Sequence, residues 1–197
     1  DDDTAGLNPL SSAGSAYVFK RDNNKVWNQV QKIVSPTRAQ SDGFGISTFI
    51  SGNYMAIGAT GEDEDENGLN TLLSAGAVYI YKQNQFGIWE NYKKLVPNDR
   101  DAGDQFGWSV AINENTIMVG AHYDEHDTLG MNSINKAGSA YMFEFILRSF
   151  DSVTDTVCDE YVATSGNTFT STGIHYDTLT NVDGCDSIIV YDLLIKK

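Results

Sequence analysis

The residues of this chain best suited to chemistry are acidic. Asp63-Glu64-Asp65-Glu66-Asn67-Gly68 fits the D-x-D-x-[DN]-G opening of a calcium loop. In such loops, oxygens at alternate positions and a glycine at the sharp bend wrap a hard cation. The ligands here would be Asp63, Asp65, Asn67 and a backbone carbonyl at Leu69 or Asn70, with calcium as the ion. The following Thr71-Leu72-Leu73-Ser74 brings no closing carboxylate, so a solvated acidic loop stays open as the other reading. Asp99, Asp101 and Asp104 form a second acidic cluster, which we read as turn formers. His122 and His126 are four apart, the spacing that puts two imidazoles on one helical face. They fall in a Tyr/Asp-rich connection without the glutamate of a zinc peptidase, and we read them as loop histidines. His175 stands alone and carries no functional inference.

No nucleophile elbow, phosphate-binding loop or dinucleotide fingerprint occurs in the 197 residues. Carboxylates are many, but turn positions account for them, and the expectation is a non-catalytic protein. With 13 basic against 27 acidic side chains, the formal charge is −14. That field repels nucleic-acid phosphates and anionic lipid, so neither is an expected partner. No stretch approaches the roughly 20 apolar residues of a membrane span. The chain opens on Asp1-Asp2-Asp3 rather than on a signal peptide, and we expect a mature product or an excised fragment. Two cysteines, Cys158 and Cys185, lie in the last quarter. They are compatible with one disulfide in an oxidising compartment, and two free buried thiols remain the alternative.

The elements that carry these residues are repeated. AGSAYVF at 13–19, AGAVYIY at 75–81 and AGSAYMF at 137–143 are spaced by 62 residues. Phe44-Gly45 and Phe106-Gly107, Gly58-Ala59 and Gly120-Ala121, and Trp27 and Trp89 keep the same step. Each unit reads as four strands, illustrated by residues 45–51, 54–59, 76–82 and 89–96, with the turn Gly52-Asn53 closing the first hairpin. A four-stranded sheet cannot cover both its faces alone, so such units stack, as propeller blades do. Small residues at 58–59 and 76–77 suit the inner strands. Trp27 and Trp89 fall on outer strands, where they can cover the interface between blades. A sandwich of the same strands is the alternative architecture.

The run DGFG-I-S-x-x-I-S-G-x-Y-x-x-I-GA…AGAVYIY…W over 42–89, and GDQFGWSVAINENTIMVGA…AGSAYMF over 103–143, resemble bacterial FG-GAP repeats, related to integrin α-subunit blades. The resemblance spans about 1–145. It implies an extracellular β-propeller, usually of about seven blades, that acts in adhesion or ligand binding. In that family the calcium loops lie in the first hairpin, where this chain has only Gly52-Asn53 or Asn113-Glu114-Asn115. The blades present, about two and a half, are too few to close a ring. We therefore expect a fragment of a larger protein, with further blades or other copies of the chain as partners.

From about Ser152 the step of 62 stops. The run C-D-x-Y…GNTFTSTGxxYDTLTNxxGCDSI resembles small Cys-flanked β modules of surface proteins from Bacteroidetes-type bacteria. A Cys158–Cys185 crosslink would stabilise so small a core by about 3 kcal/mol. The expectation is thus an all-β chain: a partial β-propeller of four-stranded antiparallel blades at 1–148, then a small C-terminal β module at 150–197. Its expected role is adhesion to a protein or glycan ligand at a bacterial cell surface. The alternatives are an accessory domain of a secreted hydrolase and a purely structural repeat.

Overall fold

The computed structural model describes residues 5–113, 116–127, 134–144, 150–163, 165–180 and 186–196. The chain divides into two compact units, Asp1–Glu144 and Phe145–Lys197. All regular structure among the described residues is β.

In the first unit, β1 (Ala16–Arg21) pairs antiparallel with β2 (Trp27–Ile33). Next come β3 (Phe44–Ser51), β4 (Tyr54–Ala59), β5 (Ala77–Gln83) and β6 (Trp89–Leu95), a four-stranded antiparallel sheet in chain order. The third sheet is β7 (Phe106–Asn113), β8 (Thr116–Ala121) and β9 (Ser139–Glu144), again in chain order. The sequence repeat is therefore a structural repeat. β7–β9 reproduce β3–β5, and β1–β2 reproduce the outer pair β5–β6. Even the irregularities recur, since the register breaks between Phe44 and Ser47 and again between Phe106 and Ser109. Both breaks sit at the Phe-Gly glycine, whose positive φ lets an extra residue bulge from the ladder.

Adjacent blades meet backbone to backbone. Gly14 forms a parallel bridge with Phe44, and Gly76 forms the same bridge with Phe106. A Cβ on Gly14 would stand 2.1 Å from the Phe44 carbonyl oxygen, and one on Gly76 2.2 Å from that of Phe106. Only glycine fits there, and the φ of +86° and +87° at these two positions excludes larger residues independently. Ser47 Oγ adds a 2.6 Å hydrogen bond, donated across the second junction to the Gly107 carbonyl. Around the first junction, Ala16, Ile33, Phe44, Ile57, Tyr79, Tyr81 and Trp89 form one buried cluster. Phe44 meets Tyr79 edge-on at 5.5 Å, and Phe106 meets Tyr141 the same way at 5.5 Å.

The two outer-strand tryptophans differ. Trp89 is 5 % exposed and clipped to the preceding blade, since Gln31 Nε2 donates to its carbonyl and its N–H donates to Gln31 Oε1. Trp27, expected to cover an interface as well, is 64 % exposed. The reason is positional: β1–β2 is the first sheet described, and no blade lies on its outer side among the described residues.

The second unit holds β10 (Phe150–Cys158), β11 (Tyr161–Val162), β12 (Thr168–Phe169), β13 (Gly173–Thr180) and β14 (Asp186–Lys196). β14 is central, antiparallel to β13 and parallel to β10, while β11 and β12 pair separately. Ala163, Tyr191, Leu193 and Ile195 form the core, with Val157, Tyr161 and Phe169 packed on it. Cys158 is an exposed free thiol at the end of β10. The expected partner, Cys185, lies outside the described residues.

Candidate functional site

The registers place one end of every blade together. Phe44 pairs with Ala59, Ala59 with Ala77, and Val78 with Leu95. The loop 60–76 within a blade and the connection 96–105 to the next blade therefore emerge side by side. They are bonded to each other: Gly103 N–H donates to Leu73 O at 2.9 Å and Gln105 N–H to Ser74 O at 3.1 Å. The Arg100 guanidinium donates to Asn70 O at 2.9 Å and Asp63 O at 2.6 Å. One blade on, Tyr123 N–H donates to Asp104 O. The acidic residues singled out in the sequence all sit on this end.

Beneath the loops lies a buried polar centre that pattern reading missed. Glu62 is 0 % exposed; its Oε2 accepts the Tyr79 hydroxyl at 2.5 Å, and its Oε1 pairs with Lys94 Nζ at 3.0 Å. The Lys94 ammonium also lies 5.5 Å from the Tyr79 ring centroid, and the Thr37 hydroxyl sits 2.8 Å from that of Tyr79. Burial pushes the Glu62 carboxyl up, but hydrogen bonds with Glu64, Tyr79 and Lys94 outweigh it and hold its pKa below the ordinary value. Glu64, which shares that contact, is pushed up by it. In the next blade Asp124 and Tyr141 take these places: the Tyr141 hydroxyl donates to Asp124 Oδ2, and His126 Nδ1 lies 3.6 Å from Asp124 Oδ1. One sequence signal was available, because an acid at 62 and 124 and a tyrosine at 79 and 141 keep the step of 62 while the loop between them changes.

A second repeated device ties the connections down. Asp42 Oδ2 accepts Ala39 N–H at 2.6 Å, and Asp104 Oδ2 accepts Asp101 N–H at 2.6 Å. Asp104, read as a turn former, does form one. Burial, with Glu62 and Asp63 nearby, raises the Asp42 pKa to about 6 despite the Ala39 hydrogen bond. Burial raises Asp104 as well.

The proposed calcium ligands are close in sequence but differently employed. Asp65 Oδ1 accepts N–H from Asn67 and Leu69, both at 2.9 Å, and its Oδ2 accepts Asn70 Nδ2 at 2.5 Å. The Leu69 carbonyl accepts Asp65 N–H at 2.8 Å, and Asp63 Oδ1 accepts Ser74 N–H at 2.7 Å. Asn67 Nδ2 points to Glu66 Oε1 at 3.3 Å. The oxygens a cation would need thus face N–H donors, and this arrangement does not fit calcium, which takes six to eight converging oxygens. The pattern is a turn closure: Asp22 accepts the N–H of Asn24 and Val26, and Asn84 those of Phe86 and Ile88, with the same two spacings. Asn84 carries no charge, so the geometry at Asp65 needs none. No group of three His, Cys, Asp or Glu converges as a metal site among the described residues.

His122 is stacked between Trp108 and Tyr123, at 4.0 and 3.8 Å. His126 instead faces Asp124, so the two imidazoles have separate partners. His175 stacks on Phe169 at 4.5 Å. A polar groove of about 320 Å³ opens on the loop end, lined among others by Asp101, Asp104, Tyr123, Glu125, His126 and Lys136. An acidic rim around such a groove can receive a basic or polyhydroxyl group.

Compared with known families, residues 27–81 and 89–143 each match the FG-GAP repeat, together more than half of the chain. Among curated proteins, none matches. FG-GAP repeat domains are β-propeller-type, generally non-catalytic and generally protein-binding. The matched segments share the step of 62 and cover the blades whose Phe-Gly strands seat on the preceding glycine. This chain is a member of the FG-GAP repeat family, a partial β-propeller of stacked antiparallel blades.

Proposed function

We propose that the protein is a non-catalytic, extracellular ligand-binding repeat protein that acts in adhesion through the loop end of its blades. One observation carries this reading: loops from successive blades are bonded into a continuous acidic surface instead of standing apart. Asp101 and Glu125 on a polar groove, with Glu66 exposed on the loop of the preceding blade, suit a protein ligand with a basic face. The non-catalytic part of the reading is supported by the buried carboxylates Glu62 and Asp124, both engaged by a tyrosine hydroxyl, Glu62 by Lys94 as well. Secretion and surface location rest on the resemblance of the blades to FG-GAP repeats of extracellular propellers and of the C-terminal module to those of bacterial surface proteins.

The test is charge reversal on the loop end. Glu66→Lys/Asp101→Lys/Glu125→Lys should weaken capture of basic protein ligands on an array by about tenfold or more, and restore it at low affinity for acidic ones. Glu90→Lys/Glu144→Lys, away from these loops, should not. Equal loss in both variants, or selective retention of glycans instead of proteins, would replace this reading.

A further inference from the structure

β9 ends its sheet on an open edge among the described residues, whereas its counterpart β5 is paired on that edge by β6. The fourth strand of a blade has a recurring chemistry. β2 reads WNQVQK and β6 reads WENYKK, so tryptophan and lysine are five apart in both. In both blades this lysine lies over the tyrosine of the third strand, Lys32 at 5.8 Å from the Tyr17 ring and Lys94 at 5.5 Å from the Tyr79 ring. Tyr79 and Lys94 are direct cross-strand partners, and from there the ammonium reaches the buried Glu62.

The third blade holds the receiving half of that arrangement. Tyr141 stands where Tyr79 does, and Asp124, 1 % exposed, stands where Glu62 does. No lysine or arginine pairs with Asp124 among the described residues; its ionic neighbour is the partly exposed His126. The chain's own residues at the corresponding step are Asp151 for tryptophan and Thr156 for lysine, and both belong to β10, which pairs with β14. A buried carboxylate without a full cationic partner is costly, and an open strand edge offers unpaired N–H and C=O groups.

The structure assigns the open edge of β9 as a docking site for one added β-strand of the Trp-x₄-Lys type, as carried by the fourth strand of another repeat unit. It would pair antiparallel to Ser139–Glu144, its lysine opposite Tyr141 and salt-bridged to Asp124. Main-chain ladder bonds supply the adhesion of such a strand and the charge pair fixes its register. The pairing edge runs along β9 while its lysine reaches Asp124 beneath the loops, and a peptide test read at β9 does not depend on the adhesive reading.

The probe is a peptide with the sequence of residues 88–97, titrated against the full chain. Saturable binding is expected, with slowed amide exchange at Ser139–Glu144. A peptide carrying Lys94→Met should bind about tenfold or more weakly. In the chain, Asp124→Asn should erase the difference between the two peptides. Equal binding of both peptides to the unaltered chain, or exchange at β9 that the peptide leaves unchanged, would overturn the assignment, and these readouts need no variant of the chain to fold.

Discussion

Lys94 is the residue on which the second blade's polar centre turns. Its side chain is 8 % exposed and its partner Glu62 is fully enclosed, so removing the ammonium strands a buried charge. Lys94→Met should cost about 3–5 kcal/mol in urea unfolding. The pair-free double variant Glu62→Leu/Lys94→Met should recover more than half of that, because the stranded charge is gone. Asp42 acts in the opposite sense. Its folded pKa of about 6 lies above its ordinary value, so the folded state holds the proton more tightly. Its contribution is therefore favourable at low pH and is lost as pH rises from about 4 to about 6, up to about 3 kcal/mol. Asp42→Asn should flatten the melting temperature over that window while keeping the acceptor for Ala39. A chain whose melting is as steep in pH after the substitution would assign the dependence to other groups. At this scale the sequence was legible only in part. Asp63 and Asp65 read equally as calcium ligands or as a solvated loop, because spacing does not reveal that the amides of Asn67, Leu69 and Ser74 reach them. Glu62 drew no reading of its own, because its burial depends on Tyr79 and Lys94, which lie 17 and 32 residues away in the chain.

The strands themselves were the most readable feature, because glycines and β-branched runs mark each edge and the repeat confirms each reading against its neighbour. β4 and the Gly52-Asn53 turn lie where the pattern puts them. The parallel pairing of β10 with β14 was not readable, since alternation sets which face a strand buries but not which distant strand it meets. The same logic separates two kinds of glycine. Gly76 is pressed on the Phe106 carbonyl, and Gly76→Ala should destabilise by about 3 kcal/mol or more through a displaced blade. Gly52 also has positive φ, but nothing lies near its would-be Cβ, and Gly52→Ala should cost about 1 kcal/mol. Denaturant melts of the two variants distinguish a junction from a simple turn; equal costs would mean that the bridge does not bear on stability.

At the scale of the molecule the acidic excess dominates. A charge of −14, with acids clustered at 62–66 and again at 99, 101 and 104, is self-repelling, and screening relieves it. Raising sodium chloride from near zero to about 0.15 M should lift the melting temperature by about 2–5 °C. Because Asp65 closes its loop with amide hydrogens, millimolar calcium should do no more than sodium at matched ionic strength. A calcium-specific rise abolished by Asp65→Asn would instead make the loop a cation site. Cys158, on the second unit, is exposed and chemically available, so its labelling by a thiol reagent in the native chain reports whether Cys185 engages it.

The glycine bridges at Gly14 and Gly76 seat one blade on the next main chain to main chain, at points well below the loop tips. The angle from blade to blade is thereby uncoupled from whatever side chains crown the tips. Residues 64–71 could be exchanged for a foreign segment of equal span, with Glu62 and Gly76 left in place, without re-aiming the next sheet. The protein is in that sense a frame with replaceable tips, and its binding preference can be rewritten one blade at a time.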